Sequence, residues 1–228
     1  MNEKELIGYL KNSGSGNFNY WRKDHPKEML DLSGIDLKEK DLRDFKLAPV
    51  TFIGTDLRKA NLSSQKFNVV RFDGANLTDA NLSGADLTGS TFTGAQLGCA
   101  CLKGADLREA QLEKAILTNA ILKEADLREA DLSGADLGGA NLKEADLSGA
   151  FLHGAHLDGA IFTDCIMDQP LQMLAECASQ LVQARGIPDS VFQRLYWAGY
   201  NLAELAKQQE DEKKKKEEEE RRREREAD

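Results

Sequence analysis

Four groupings in this chain of 228 residues carry side chains that could do chemistry. Cys99-x-Cys101 and His153-x-x-His156 offer the thiol and imidazole donors of a metal site. Asp86, Asp106, Asp126 and Asp146 recur every 20 residues, and Lys103, Lys123 and Lys143 recur at the same interval. The sequence has no Gly-rich run ending in Gly-Lys, no G-x-S-x-G elbow and no H-E-x-x-H pair. Gly14-Ser15-Gly16 lacks the following glycine and the βαβ setting of a dinucleotide fingerprint. With 30 basic against 39 acidic residues the net charge is −9, so the whole chain lacks the electrostatic footprint of nucleic-acid binding. No stretch approaches the roughly 20 apolar residues of a membrane span. Residues 1–11 lack the apolar stretch of a signal peptide, and the four cysteines have no framework spacing. A reducing, cytoplasmic setting is the simplest expectation.

Two charge types recurring at one interval must be positioned by a repeating element. From Leu32 to Met167 every fifth residue is Leu, Phe or Met without an insertion, and 22 of the 31 leucines lie on this beat. Two residues earlier sits a small residue, Ala at 17 of 18 positions from Ala75 to Ala160, with Ser90 the exception. The unit reads A-[D/N]-L-x-x, as in Ala85-Asp86-Leu87. A helix would rotate successive leucines by about 140° and smear them around its surface. A continuous strand would place them on alternate faces, because five is odd. Ala-Asp-Leu instead alternates in, out, in like a very short strand, and the next two residues must turn the chain. Glycine fills the second turn position twelve times, as turns with positive φ favour. The chain is therefore read as a solenoid.

These tandem units resemble the pentapeptide-repeat proteins, and Phe18-Asn19-Tyr20-Trp21-Arg22 ahead of Asp31-Leu32-Ser33-Gly34 resembles leader segments of bacterial members. The resemblance covers residues 30–169. It implies an all-β solenoid, a right-handed four-sided β-helix with four units per coil and hence about seven coils. Residues 20 apart then stack, which predicts an aromatic column of Phe52, Phe72 and Phe92. The thiol and imidazole pairs then lie roughly 10–14 Å apart along the rod, too far to share one ion; no metal or cofactor is expected. Cys165 takes an inward slot and is expected in the core.

The repeat breaks its own rule between residues 30 and 70. The small inward positions there are Leu30, Ile35, Lys40, Phe45, Val50, Thr55, Ala60, Gln65 and Val70. An inward Lys40 or Gln65 needs partners, and Pro49 suits a corner. Either an irregular, wider coil or a corner opened for recognition would account for this. The chain divides into an N-terminal cap (1–29), the β-helix (30–169), a two-helix C-terminal cap (170–207) and a charged tail (208–228). In the first, residues 3–11 form a short helix, Ser13-Gly14-Ser15-Gly16 is flexible, and Tyr20 and Trp21 cover the first coil. In the third, Gly186-Ile187-Pro188 separates two helices. Phe192, Tyr196, Trp197 and Tyr200 on the second helix serve either that cap or a homodimer.

Three surface features remain. The aspartate column repels itself by roughly 1 kcal/mol per adjacent pair at about 4.8 Å in water. Cys101, Ile116 and Ile121 take normally polar outward positions and form a small apolar patch. Phe151, Ile161 and Ile166 do likewise near the C-terminal cap, which is expected to cover them. The leading reading is a non-catalytic scaffold that binds another protein, with Asp86, Asp106, Asp126, Asp146, Cys101, Ile116 and Ile121 as candidate contacts. Direct binding to nucleic acid or membrane is not expected. The alternative implied by the resemblance is mimicry of DNA toward DNA gyrase, the fluoroquinolone-resistance type. Residues 71–169 carry seven bases and 16 acids. That is one net charge per roughly 2.7 Å of rod, against one per 1.7 Å of duplex. The tail pairs Lys213 to Lys216 with Glu217 to Glu220 at i,i+4 spacing. A peptide of residues 208–228 is expected to be helical at low salt and to lose helicity as salt is added; coil-like circular dichroism at low salt would refute this.

Overall fold

The computed structural model describes residues 8–10, 15–168, 181, 184–197, 207, 211 and 214. The first helix, α1 (Ser15–Asp24), leads into two-residue strands β1 (Leu30–Asp31) and β2 (Val50–Thr51), which pair in parallel with a 20-residue register. The same register continues as single parallel bridges, from Asp36 with Asp56 to Asp146 with Ile166. Each bridge runs through the outward residue of a unit. Its neighbours carry the ladder: Leu82 N–H donates to Cys101 C=O at 2.7 Å, and Cys101 N–H donates to Ala80 C=O at 2.9 Å. One coil is thus 20 residues and four units. We number its faces by their first outward residue: face 1 from Asp31, face 2 from Asp36, face 3 from Asp41 and face 4 from Lys46.

Every position of the five-residue beat is buried, none more than 5% exposed. The interior is filled by side chains. Phe52 stacks on Phe72 at 5.0 Å and Phe72 on Phe92 at 4.8 Å, the expected column, and Phe67 meets Phe52 and Phe72 edge-on at 5.6 Å. Cys165 is buried, and that burial pushes its thiol up to about 12.

The turn demands positive φ of whatever residue stands second in it. Twelve glycines adopt it, but so do thirteen other residues, from Glu39 to Asp164. Only the turns at 44 and 49 depart, and they flank the one opened corner. There the Ala48–Pro49 peptide is cis, and no bridge joins Lys46 to Lys66. The Gln65 amide replaces the missing ladder. Its Nε2 donates to the carbonyls of Leu42, Arg43 and Phe45 at 2.8, 2.7 and 3.0 Å. The other buried inward polar residues, Thr55 and Ser90, sit in intact ladder and satisfy their hydroxyls by donating to the Leu32 and Phe67 carbonyls. Lys40 is half-buried rather than enclosed.

Helix α1 packs on this corner and corrects the expectation for Ser15, Gly16 and Tyr20, while Trp21 packs against the core as expected. Ser15 and Gly16 are helical, not flexible, and Tyr20 is 73% exposed. Phe18 and Arg22 are the buried residues. Phe18 lies 5.4 Å from Phe45 and 5.9 Å from Trp21. The Arg22 guanidinium donates to the carbonyls of Lys46, Leu47, His25 and Glu28 at 3.1, 2.9, 3.0 and 2.6 Å. Burial lowers its pKa, opposed by Glu28.

At the other end the chain rejoins the solenoid. Arg185 bridges Ile161, donating to Ala160 C=O and receiving the Phe162 N–H, both at 2.7 Å. Gly186 follows at φ 66° directly over Thr163. Residues 184–186 form a further rung, four residues out of phase with the beat, between helical Leu181 and the helix that begins at Asp189. Helix α2 (Asp189–Trp197) buries Val191 and Leu195. The side chains of Phe192, Tyr196 and Trp197, all of Tyr200, and the expected first helix of that cap lie outside the described residues, apart from Leu181. Phe151 and Ile166 are 49% and 54% exposed and Ile161 is met by Arg185; most of the C-terminal elements expected to cover the three lie outside the described residues.

Gln65→Leu would remove the donor shared by the Leu42, Arg43 and Phe45 carbonyls, of which Leu42 and Phe45 keep one backbone N–H each. We expect it to lower unfolding stability by about 2–3 kcal/mol, with an unchanged denaturant slope; a loss below about 0.5 kcal/mol would show that the corner does not depend on it.

Candidate functional site: the outward faces

The solenoid places the repeated charged residues in rows, and the row geometry changes their meaning. The outward Asp or Asn first closes its own turn. Asp86 Oδ1 accepts from the Thr88 N–H and hydroxyl at 3.3 and 2.8 Å, and Asp146 Oδ1 accepts from the Ser148 N–H and hydroxyl at 2.9 and 2.6 Å. Asn76, Asn81 and Asp131 accept from the backbone two residues on in the same way. An Asx turn needs this short side-chain oxygen, so the [D/N] of the unit is explained without a partner.

The structure does bring Asp86, Asp106, Asp126 and Asp146 into one row on face 4. The row is not a bare acidic column. Arg108 grips Asp106 with two bonds of 2.8 and 2.6 Å and lies 3.7 Å from Asp126. Arg128 repeats this on Asp126, at 2.8 and 2.6 Å, and lies 3.8 Å from Asp146. Asp86 receives the Asn68 amide at 2.7 Å. The repulsion expected of the column is thus relieved by arginines threaded between its rungs. The D-x-R spacing is the sequence feature that announces this pairing, at Asp41-x-Arg43 and Asp56-x-Arg58 as well.

The lysine row on face 3 is threaded in the same fashion. Lys103 lies 3.8 Å from Glu124, Lys123 lies 3.1 Å from Glu124 and 3.9 Å from Glu144, and Lys143 lies 3.4 Å from Glu144 and 4.0 Å from Asp164. Cys101 bridges Ile121 directly on face 3, whereas Ile116 stands on face 2, around the corner. Ile116 and Ile121 are 42% and 43% exposed. The net charge of residues 71–168 is unevenly spread over these faces. Face 4 with its turns holds seven acids and two arginines, face 2 three acids, and face 1 three acids and two bases. On face 3 three lysines meet three acids.

Among the described residues no three metal-ligating side chains converge. His153 and His156 stand on faces 1 and 2, and Cys99 and Cys101 flank the corner between faces 2 and 3. No helix of the described residues is long and apolar enough to cross a membrane.

Hydrogen bonds from Arg108 and Arg128, foremost, hold the Asp106 and Asp126 carboxyls below the ordinary carboxylate range. Asp41 and Asp56 are depressed likewise by Arg43 and Arg58. A depressed folded-state pKa adds stability that is complete above the unfolded value, 3.8, and lost as pH falls through the folded one. Thermal stability is therefore expected to be level above about pH 5 and to fall below about pH 4. In the double variant Asp106→Asn/Asp126→Asn, which keeps the turn-closing oxygens, that acid decline should be shallower; an unchanged acid limb would refute the pairing.

Comparison with known proteins bears on the same coils. The profile of the family described as Pentapeptide repeats matches in eight copies, over residues 71–108, 105–143 and 125–164. No curated protein matches the chain. Among solved structures, the chain is 38% identical to alr5209, a pentapeptide repeat protein from Nostoc PCC 7120, over 38% of this chain and 69% of that one, with a TM-score of 0.36. QnrB1, a plasmid-mediated fluoroquinolone resistance protein, is 22% identical over 60% of this chain and 76% of its own, with a TM-score of 0.39. HetL, involved in heterocyst differentiation regulation in the cyanobacterium Nostoc sp. strain PCC 7120, is 26% identical over 72% and 84%, with a TM-score of 0.25. With its five-residue beat, its 20-residue register and the matching profile, the chain belongs to the pentapeptide repeat family.

Proposed function

We propose that the chain is a non-catalytic scaffold that presents preset rows of side chains to another protein. The carrying observation is the fixing of the outward side chains. Turn-closing bonds hold the Asp and Asn residues, and inter-rung pairs hold Arg108, Arg128 and the three lysines. Side chains already held in one geometry lose little freedom on association, which favours binding without any cleft. Face 3 suits the centre of such an interface best. Its charges balance, and Cys101 and Ile121 form its apolar middle; loss of net charge at the core is the compositional mark of interfaces. Affinity capture with the parent chain and with Ile116→Glu/Ile121→Glu tests this reading. A protein retained by the parent is expected to be lost from the variant; equal capture by both would remove face 3.

A second reading is supported by the acidity of opposite faces 2 and 4, which gives the coils a charge density within about a factor of two of duplex DNA. It is mimicry of DNA toward DNA gyrase. The arginines inside the face 4 row weigh against it, because a duplex presents no cations between its phosphates. Supercoiling by gyrase is expected to be unaffected by micromolar protein; inhibition, or protection from a fluoroquinolone, would favour mimicry over the scaffold.

A further inference from the structure

Outside the regular rows, the least economical feature of the surface is Val69. It is 78% exposed and holds φ 56°. Of the thirteen non-glycine residues in that conformation it alone is β-branched, the side-chain type for which the left-handed region is a true outlier. Where the turn requires this φ, glycine fits without strain, and twelve neighbouring turns use it. Val69 therefore carries both backbone strain and an unburied apolar side chain, and nothing within the coil repays either.

Its surroundings form a surface. The pairing of Leu30 with Val50 and of Thr51 with Arg71 sets Met29, Pro49 and Val69 in line along the edge between faces 4 and 1. Met29 is 62% exposed and Pro49 half-buried. Lys46 and Lys66 stand exposed on the adjoining part of face 4, and among the described residues neither has an ion pair, unlike the lysines of face 3. Toward the C-terminus the same edge continues as Gly89, Glu109, Glu129 and Gly149, and the same face as the aspartate row. The apolar edge and its two free cations end there.

We propose that this edge docks a short segment of a partner protein in which an acidic side chain lies beside an apolar one. This rests on the scaffold reading and adds to it a site and a ligand chemistry. The apolar residue seats on Met29, Pro49 and Val69, and the acid pairs with Lys46 and Lys66. Charge limits the occupant: an extended polyanion, duplex or anionic bilayer, laid on these lysines meets Asp86 on the next rung and the acidic row beyond, whereas a few residues of peptide stop short of it.

The test is selection of phage-displayed random nonapeptides on the full-length chain, followed by affinity measurement on variants. Enriched peptides should carry Asp or Glu next to Leu, Ile or Phe. They should bind at least tenfold more weakly to Val69→Gly and to Lys46→Glu/Lys66→Glu, and more weakly as salt rises. Val69→Gly should melt no lower than the parent, because the strain goes with the side chain. Enriched peptides unaffected by either variant but lost on Ile121→Glu would overturn the edge and leave the scaffold. Failure to enrich any peptide would remove the edge as a peptide site. Binding to vesicles containing phosphatidylserine that is abolished by the lysine reversals would overturn the proposal in favour of a membrane, and a lower melting point for Val69→Gly would show that Val69 serves the fold.

Discussion

The rest of the molecule depends on the left-handed second residue of each turn. A two-residue corner must redirect the chain so that the next inward side chain again meets the axis. Only positive φ does so while leaving both flanking units free to bond to the coils on either side. Twenty residues later the path repeats, and the Leu82–Cys101 type of hydrogen bond closes at 2.7 Å. The strain falls on thirteen residues other than glycine, ten of them Glu, Asp, Asn or Lys and the others Ser64, Val69 and Cys99. It persists because each coil is held between neighbours that impose the same register, which a solenoid provides everywhere except at its ends.

That dependence explains what was legible in the sequence. Period, register, inward columns and phenylalanine stacking all follow from residue spacing, because one unit's geometry repeats. What escaped was whatever depended on the relation between positions. Asp106 and Arg108 are two residues apart within a unit, yet the value of the pair comes from Asp126 one coil away. Gln65 looked like a misplaced polar residue until its amide was seen to reach the Leu42, Arg43 and Phe45 carbonyls at the corner where the bridge between Lys46 and Lys66 is missing. Arg185 was invisible to a five-residue count because the chain returns out of phase. Arg22, inside a stretch chosen for its aromatics, is the residue that ties α1 to the corner.

The electrostatics follow the same logic. An outward Asp is selected by the turn it closes before any partner is considered, so a column of them is the default product of stacking. The column becomes tolerable when a residue two positions on reaches the next rung. Arginine does this on face 4; on face 3 the column is of lysines, and glutamates of the turns lie between its rungs. Surface charge in this fold is therefore mostly internal bookkeeping of the solenoid. The net acidity of the coils overstates what a partner meets on faces 3 and 4, and understates it on face 2, where Asp136 and Asp158 have no cation threaded between them.

Regularity and recognition consequently separate along the rod. In the regular coils most outward polar side chains are held by their own turn or by a neighbour's charge, and the exposed Ile116, Ile121, Phe151 and Ile166 are the exceptions. The first coils break the rule in several ways at one corner. There the ladder is interrupted, Gln65 supplies donors from within, and α1 leans on Phe45 and the Lys46 and Leu47 carbonyls. That corner is where the sequence is free of the repeat's demands, because helix and glutamine together do the work of the missing bridge. Beside that corner stand two lysines without an ion pair among the described residues, and Val69, which still keeps the positive φ of the repeat. The regular coils are thus held by their shared register, and the first coils by Gln65 and α1 in addition.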